Sequence, residues 1–227
     1  AKARAEAKAE EKQGLPLFFK QAEAKAKDKA IRNSVSSSSL PLSIACNTLN
    51  SKIITLLKKK IKGEIIIDPF AGGAHLKHTL QKFLPTKQFI AIDSKSCRWK
   101  TYSDSPVIEA DSVQVMEQLY YSGWKLSNVT LILCFSPSGS EAPYKVLLLA
   151  IALGLKQLIL IQESLDQDHC GDIKFSKLLK LCNLEKQDGY AKPTPSLAFG
   201  MKGFYASMWI SNNLPSLEDL PWEMQNV

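Results

Sequence analysis

Glu64-Ile65-Ile66-Ile67-Asp68-Pro69-Phe70-Ala71-Gly72-Gly73-Ala74 joins a short apolar run to a glycine turn. Three isoleucines in a row leave no polar face, so the run suits a strand covered on both sides, as in a parallel sheet between helices. The run ends in an acid, and the two glycines that follow let a ligand approach the backbone. Helical periodicity resumes over residues 75–84, which aims the amino end of a helix at the same point. Such a helix start holds the carboxylate of an amino acid as readily as a phosphate. A plain glycine turn between strand and helix is the other reading of these residues.

Working outward, the device repeats. Gln88-Phe89-Ile90-Ala91-Ile92-Asp93 and Val107-Ile108-Glu109-Ala110-Asp111 are two further apolar runs closed by acids, and residues 129–135 form the most hydrophobic strand of all. Helical patterns occupy residues 113–121, 142–153 and 173–182, with strands at 157–162 and 204–210. Upstream, apolar residues recur mostly at helical spacing over 43–61, with Lys58, Lys59 and Lys60 on the remaining surface. Strands alternating with helices predict an α/β fold with a doubly wound, mostly parallel sheet. Residues 42–212 form the expected domain. Residues 213–227 are a tail expected to lie outside the sheet.

Residues 1–41 read as a basic helical extension with a serine-rich linker. Up to Arg32 this stretch carries nine basic against five acidic side chains, +4 of the net +7, and it has almost no large apolar residue except in Leu15-Pro16-Leu17-Phe18-Phe19. It can form a solvated helix but cannot pack a core alone. The Leu-Pro-Leu-Phe-Phe segment is expected to dock on the domain or on a partner.

With 227 residues, 45% of them hydrophobic, the chain can bury one good core and leave appendages outside it. The net charge of +7 points to a polyanionic neighbour such as RNA, since clustered lysines gain by displacing phosphate counterions. A merely basic protein is the plain alternative. Five scattered cysteines without a CxxC pair argue against a disulfide framework and a zinc knuckle, and fit a reducing compartment. The longest apolar stretch, residues 146–155, is about half of a bilayer span. An intracellular protein is expected, nucleus and mitochondrion both open. The sequence opens at Ala1, as a processed or truncated chain would.

In an open parallel sheet, ligands sit beyond the carboxyl ends of the strands. Asp93, 25 residues after Asp68, stands where an acid accepts hydrogen bonds from ribose hydroxyls. Asp111 and Ser112, after the third run, could receive the exocyclic amine of an adenine, or Asp111 could simply cap a helix.

Together these residues resemble the class I S-adenosylmethionine (SAM)-dependent methyltransferases. Asp68-Pro69-Phe70-Ala71-Gly72-Gly73 looks like the family's first motif, Asp93 like its ribose-binding acid, and Asp111 like its adenine-side acid. The resemblance implies a Rossmann-like sheet of seven strands, SAM as cofactor, and cofactor contacts from Asp68, Phe70, Ala71, Gly72, Gly73, Ala74, Asp93, Asp111 and Ser112.

The fourth motif reads Phe135-Ser136-Pro137-Ser138-Gly139-Ser140, with Pro143-Tyr144 shortly after. It is similar to the Ser-Pro-Pro-Trp-Gly-Gly stretch of the trimethylguanosine synthases, but Ser138 replaces the second proline and the stacking tryptophan has no counterpart. Losing that ring removes roughly 1–3 kcal/mol of base stacking, so cap-guanine specificity does not carry over. Ser136 and Pro137 remain able to bind an amine, with Phe135 or Tyr144 to supply a ring. Two functions follow: a SAM-dependent methyltransferase acting on RNA, or a catalytically inactive relative serving as a structural or assembly subunit of a ribonucleoprotein such as a mitochondrial ribosome. RNA would be gripped by the basic N-terminal region and by Lys58, Lys59 and Lys60. His75 and His78 read as a surface pair, since no third metal ligand is evident. Trp99 and Trp124 suit packing better than substrate contact, and Glu163 has little to do in a methyl transfer that needs orientation more than a base.

Overall fold

The computed structural model describes residues 16–33, 51–94, 102, 104–162, 165, 170–187 and 207–225. The serine-rich linker, Trp99, Glu163 and the first residues expected of the closing strand lie outside the described residues. Among those described, no helix is long and apolar enough to cross a membrane.

The isoleucine run forms β1 (Ile65–Asp68), buried along its whole length. Its period of two divides the core: Ile65 and Ile67 enter one apolar layer and Ile66 the other. The remaining strands are β2 (Gln88–Ala91), β3 (Val129–Cys134), β4 (Gln157–Gln162), β5 (Glu185–Lys186) and β6 (Ser207–Ser211). They form one sheet in the order β2-β1-β3-β4-β6-β5. The first four run parallel, and β6 enters antiparallel between β4 and β5.

Among the described residues the sheet is therefore six-stranded and mixed. The expected third strand is reduced to a single parallel bridge between Ile92 and Ile108. Pro106 lacks a donor and Glu109 is exposed, so only the centre of that short edge segment can pair. The Ile108 amide donates to the Ala91 carbonyl at 2.8 Å, and Asp93 returns a bond to Ile108 at 3.1 Å.

Helices cover both faces. α1 (Leu17–Asn33), α4 (Ser112–Tyr121), α5 (Ala142–Ala152) and α6 (Ile173–Leu181) lie on the Ile65 side, while α2 (Ser51–Lys60) and α3 (His75–Leu80) lie on the Ile66 side. Phe19, 1% exposed, sinks into the first layer beside Trp124, their ring centroids 6.4 Å apart. Through its two phenylalanines the Leu-Pro-Leu-Phe-Phe segment docks on the domain itself, while Leu17 stays exposed. Farther along α1, Glu23 meets the Lys77 ammonium at 2.8 Å and Lys29 pairs with Glu109. The tail lies outside the sheet and packs against α5, with Leu220 buried.

At the amino ends of the strands the chain passes very close to itself. A Cβ on Gly63 would lie 2.5 Å from the Thr130 nitrogen and 2.7 Å from the Val129 carbonyl carbon. The Gly63 amide donates to Thr130 Oγ1 at 3.0 Å, whose hydroxyl donates to Gln157 Oε1 at 2.6 Å. Gln157 also accepts from the Lys62 amide and donates to the Lys60 carbonyl and Asn212. This buried polar chain pins β1, β3 and β4 in register, which fixes where their far ends emerge.

Candidate active site

The chain leaves β1 to form β2 on one side and returns to form β3 on the other. That reversal lies beyond the carboxyl ends of β1 and β3, the place where open α/β sheets take ligands. The Asp68 turn and the loop carrying Ser136 both emerge there.

Asp68, Asp93 and Gly72 meet at this point. The Gly72 amide donates to Asp93 Oδ2 at 2.8 Å, and the Ala71 amide donates to the Ile92 carbonyl at 2.9 Å. Gly72 has φ 54 and Ala74 φ 60. Ala74 carries a Cβ in the left-handed region, a strain that persists only where surrounding structure imposes it. The Ala74 amide donates to Ala71 and the Phe70 amide to Asp68 Oδ1, at 2.8 and 3.4 Å. The Gly73 amide donates to none of the described residues. Helix α3 is only six residues long, so the turn's own amides matter more here than a helix dipole.

Asp68 is buried, and burial pushes its pKa up to about 8. The Phe70 amide opposes that rise, and the neighbouring Asp93 carboxylate adds to it. Asp68 is thus a neutral acid near pH 7, while Asp93 is half-exposed.

Asp111 takes the helix-cap role: its carboxylate accepts from the Val113 and Gln114 amides at 2.8 and 3.1 Å. Ser112 is buried and its hydroxyl donates to the Pro69 carbonyl, tying the start of α4 to the Asp68 turn.

On the β3 side, Phe135 has φ 51, an uncommon conformation for a bulky residue, held by its amide bond to the Ile161 carbonyl at 3.0 Å. Ser136 follows, 3% exposed, and its Oγ has no hydrogen-bond partner among the described residues. A buried hydroxyl without a partner costs stability and keeps a hydrogen-bonding capacity that a water or a ligand can use. Phe135 packs against the α2 side and Tyr144 against the α5 side, where Lys174 stands 5.9 Å from its ring. The two rings considered for base stacking therefore sit on opposite faces of the sheet.

Sequence reasoning missed what holds this loop. The Gly171 amide donates to the Pro137 carbonyl at 3.0 Å, and the Gly139 amide donates to the Gly171 carbonyl at 2.7 Å. Gly171 has φ 78, and a Cβ there would lie 2.4 Å from the Phe175 ring. This clamp stiffens the loop where the second proline is missing. Asp172, which caps α6 through the Phe175 amide at 2.8 Å, was the available signal: Gly-Asp before a helical pattern marks a fixed turn.

His75 and His78 are engaged within the fold. Nδ1 of His75 lies 2.7 Å from the Tyr102 hydroxyl, and His78 lies 2.8 Å from Asp104 and stacks on the Tyr102 ring. No group of metal-ligating side chains occurs among the described residues.

No family model matches the sequence, and no curated protein matches it. Among solved structures the chain is similar to a SAM-dependent methyltransferase from Agrobacterium tumefaciens, with 8% identity and a TM-score of 0.45, covering 71% of this chain and 61% of that one. The chain thus spans less than two thirds of that protein. It is similar to a SAM-dependent methyltransferase from Archaeoglobus fulgidus, with 10% identity and a TM-score of 0.46 over 71% of this chain and 93% of that one. It is also similar to magnesium protoporphyrin IX methyltransferase of Synechocystis PCC 6803 with bound SAM, with 12% identity and a TM-score of 0.43 over 88% of this chain and 86% of that one.

Proposed function

We propose that the chain is a SAM-dependent methyltransferase acting on nucleic acid, RNA in the first place. One observation carries most of the weight: a glycine turn whose Gly73 amide has no partner among the described residues, an acid at each of two adjoining strand ends, and a buried serine hydroxyl without a partner there all follow the carboxyl ends of neighbouring parallel strands. In this reading Asp68 and the turn Phe70, Ala71, Gly72, Gly73 and Ala74 hold the methionine end of the cofactor. Asp93 holds the ribose, Asp111 and Ser112 the adenine, and Ser136 with Pro137 the accepting nitrogen.

SAM, when bound, supplies a methyl group on a positively charged sulfur, so the reaction needs alignment more than a strong base. The chain's own residues provide that alignment. The Ser136 hydroxyl can accept an N–H of an exocyclic amine, and the Pro137 carbonyl keeps a second lone pair beyond the one used by Gly171. The Gly171 clamp restricts the loop, which is what a near-attack geometry requires. A neutral Asp68 can donate a hydrogen bond as well as accept one.

A second reading is favoured by a specific observation. Asp93 already accepts from Gly72, and Asp111 already caps α4, so the two acids assigned to the cofactor also stitch the chain to itself. A structural or assembly subunit of a ribonucleoprotein, a mitochondrial ribosome for instance, needs that stitching alone. Titration calorimetry with SAM on the full chain separates the two. Saturable binding that Asp93→Ala abolishes supports the enzyme, whereas the absence of binding in the natural chain favours the structural subunit.

A further inference from the structure

The parallel strands share a feature at their amino ends. Lys62 precedes β1, Lys87 directly precedes β2, Lys125 lies in the loop before β3, and Lys156 directly precedes β4. The carboxyl ends carry the acids Asp68 and Asp93. Lysines thus gather at the amino pole, while the titratable side chains at the carboxyl ends of β1 and β2 are acids, the buried Asp68 neutral near pH 7.

Several of these lysines converge on Gln157. The Gln157 side chain accepts from the Lys62 amide at 2.9 Å and donates to the Lys60 carbonyl at 2.8 Å, so Lys60, Lys62 and Lys156 surround a single residue. Lys58, Lys59 and Lys60 end α2 at the same place. A lysine-rich helix end can be explained by its dipole alone, but that does not account for Lys125 and Lys156, which lie on other segments. Apart from Lys87, the six lysines Lys58, Lys59, Lys60, Lys62, Lys125 and Lys156 are exposed, and none of the six is ion-paired with a carboxylate among the described residues. Glu64, the acid before β1, is held by Lys87 at 2.8 Å. Phe83, 46% exposed, lies at the edge of this surface with the Lys58 ammonium 5.0 Å from its ring centroid.

Unpaired lysines spaced across four segments, with an exposed ring beside them, match a phosphodiester backbone whose bases can stack. The geometry points to the amino pole of the sheet as an RNA-binding surface separate from the candidate active site. β1 alone puts roughly 13 Å between the two poles at about 3.3 Å per residue. Phosphates held at the lysines are therefore not those beside Ser136, and RNA is tethered at one end of the sheet while the other end remains open. The surface deepens the RNA assignment made above but does not depend on SAM binding.

The test is fluorescence anisotropy on the full chain with a labelled single-stranded oligouridylate of about 16 nucleotides. The combined variant Lys58→Ala, Lys59→Ala, Lys60→Ala should bind at least about tenfold more weakly, and the slope of log K against log salt should fall by about 2 between about 50 and about 200 mM salt. The pair Lys62→Ala and Lys156→Ala, on loops rather than on α2, should weaken binding in the same direction; this keeps the test valid if α2 suffers in the first variant. Both variants should bind SAM as the natural chain does, so a failure of the cofactor reading shows in calorimetry and leaves the anisotropy result intact. Unchanged affinity and slope in both variants would overturn the proposal. Tighter capture of polyglutamate than of RNA would overturn it as well, assigning the pole to an acidic protein.

Discussion

The Gly72 amide donates to the Asp93 carboxylate at 2.8 Å, joining the turn after β1 to the end of β2. Two strand ends that are 21 residues apart from turn to acid are thereby held as one rim, and the rim is what aims the Asp68 turn at β3. A hydrogen bond to a charged acceptor of this kind contributes about 2 kcal/mol. Asp93→Ala should therefore lower Tm by about 4–8 °C, whereas Asp93→Asn, which keeps an acceptor oxygen, should lower it by less than half as much. Thermal unfolding of the two variants side by side checks the order. Equal losses would mean that the tie contributes nothing to the rim.

Asp68 gives the fold a pH dependence of known sign. Its pKa is raised from an ordinary 3.8 to about 8, so between those values the folded chain holds a proton that the unfolded chain releases. The stability it contributes is complete below about pH 4 and is lost as pH rises through about 8. Urea unfolding at about pH 6 and about pH 9 should show the natural chain weakening at the higher pH, and Asp68→Asn, neutral throughout, should lose less over the same interval. Identical losses would place the proton elsewhere.

The N-terminal helix is held by few contacts, and Phe19 is the largest of them. Phe19→Ala removes a fully buried ring and should cost about 3–5 kcal/mol if α1 stays docked, and less if α1 simply lets go. Trypsin distinguishes the cases, because Lys20, Lys25 and Lys27 are exposed on α1. Faster cleavage there, with the sheet still folded, is the expected outcome. The buried Lys77, whose pKa burial lowers and Glu23 partly restores, should then lose its partner.

The strand runs, the glycine turn and the acids after β1 and β2 were legible because they are local: a run of isoleucines, a Gly-Gly pair and an Asp can be read without knowing what lies beside them. Partnership was not legible. Nothing in Val107-Ile108-Glu109-Ala110-Asp111 shows that Pro106 and an edge position leave one bridge of an expected strand. Nothing in Glu185-Lys186 announces a strand, since its pairing comes from β6 and it carries no apolar alternation. The Gly171 clamp likewise joins residues 32 and 34 apart in sequence, and the burial of the Ser136 hydroxyl without a partner among the described residues is visible only once the loops are placed.

Gly63 offers a sharper test of close packing than any core residue. An added methyl would meet backbone atoms of Asn128, Val129 and Thr130 within 2.9 Å, and backbone cannot swing aside. Gly63→Ala should cost about 1–3 kcal/mol by overpacking and loosen the Thr130–Gln157 network with it. Gly154, at φ 79 with open space around its missing Cβ, is the comparison. Gly154→Ala should cost only about 1 kcal/mol for the left-handed backbone. Chemical denaturation of both reads the difference; a Gly63 variant as stable as the Gly154 variant would mean that the strand starts are less tightly pinned than their hydrogen bonds imply.

Ser136 separates stability from function. In most proteins a buried hydroxyl is retained because it bonds within the fold, and its removal then costs about 1 kcal/mol. Here the Oγ has no partner among the described residues, so the fold loses nothing when it goes and is relieved of a desolvated polar atom. Ser136→Ala should therefore unfold at the same Tm or up to about 3 °C higher, with SAM binding retained. Methyl transfer to RNA should fall at least about tenfold, the loss of about 1.4 kcal/mol of alignment in the transition state. The variant would then be a stable protein with an intact cofactor site and an impaired acceptor site, a combination that a purely structural serine cannot produce. A clear drop in Tm with transfer unchanged would assign the hydroxyl to the fold and remove it from the acceptor site.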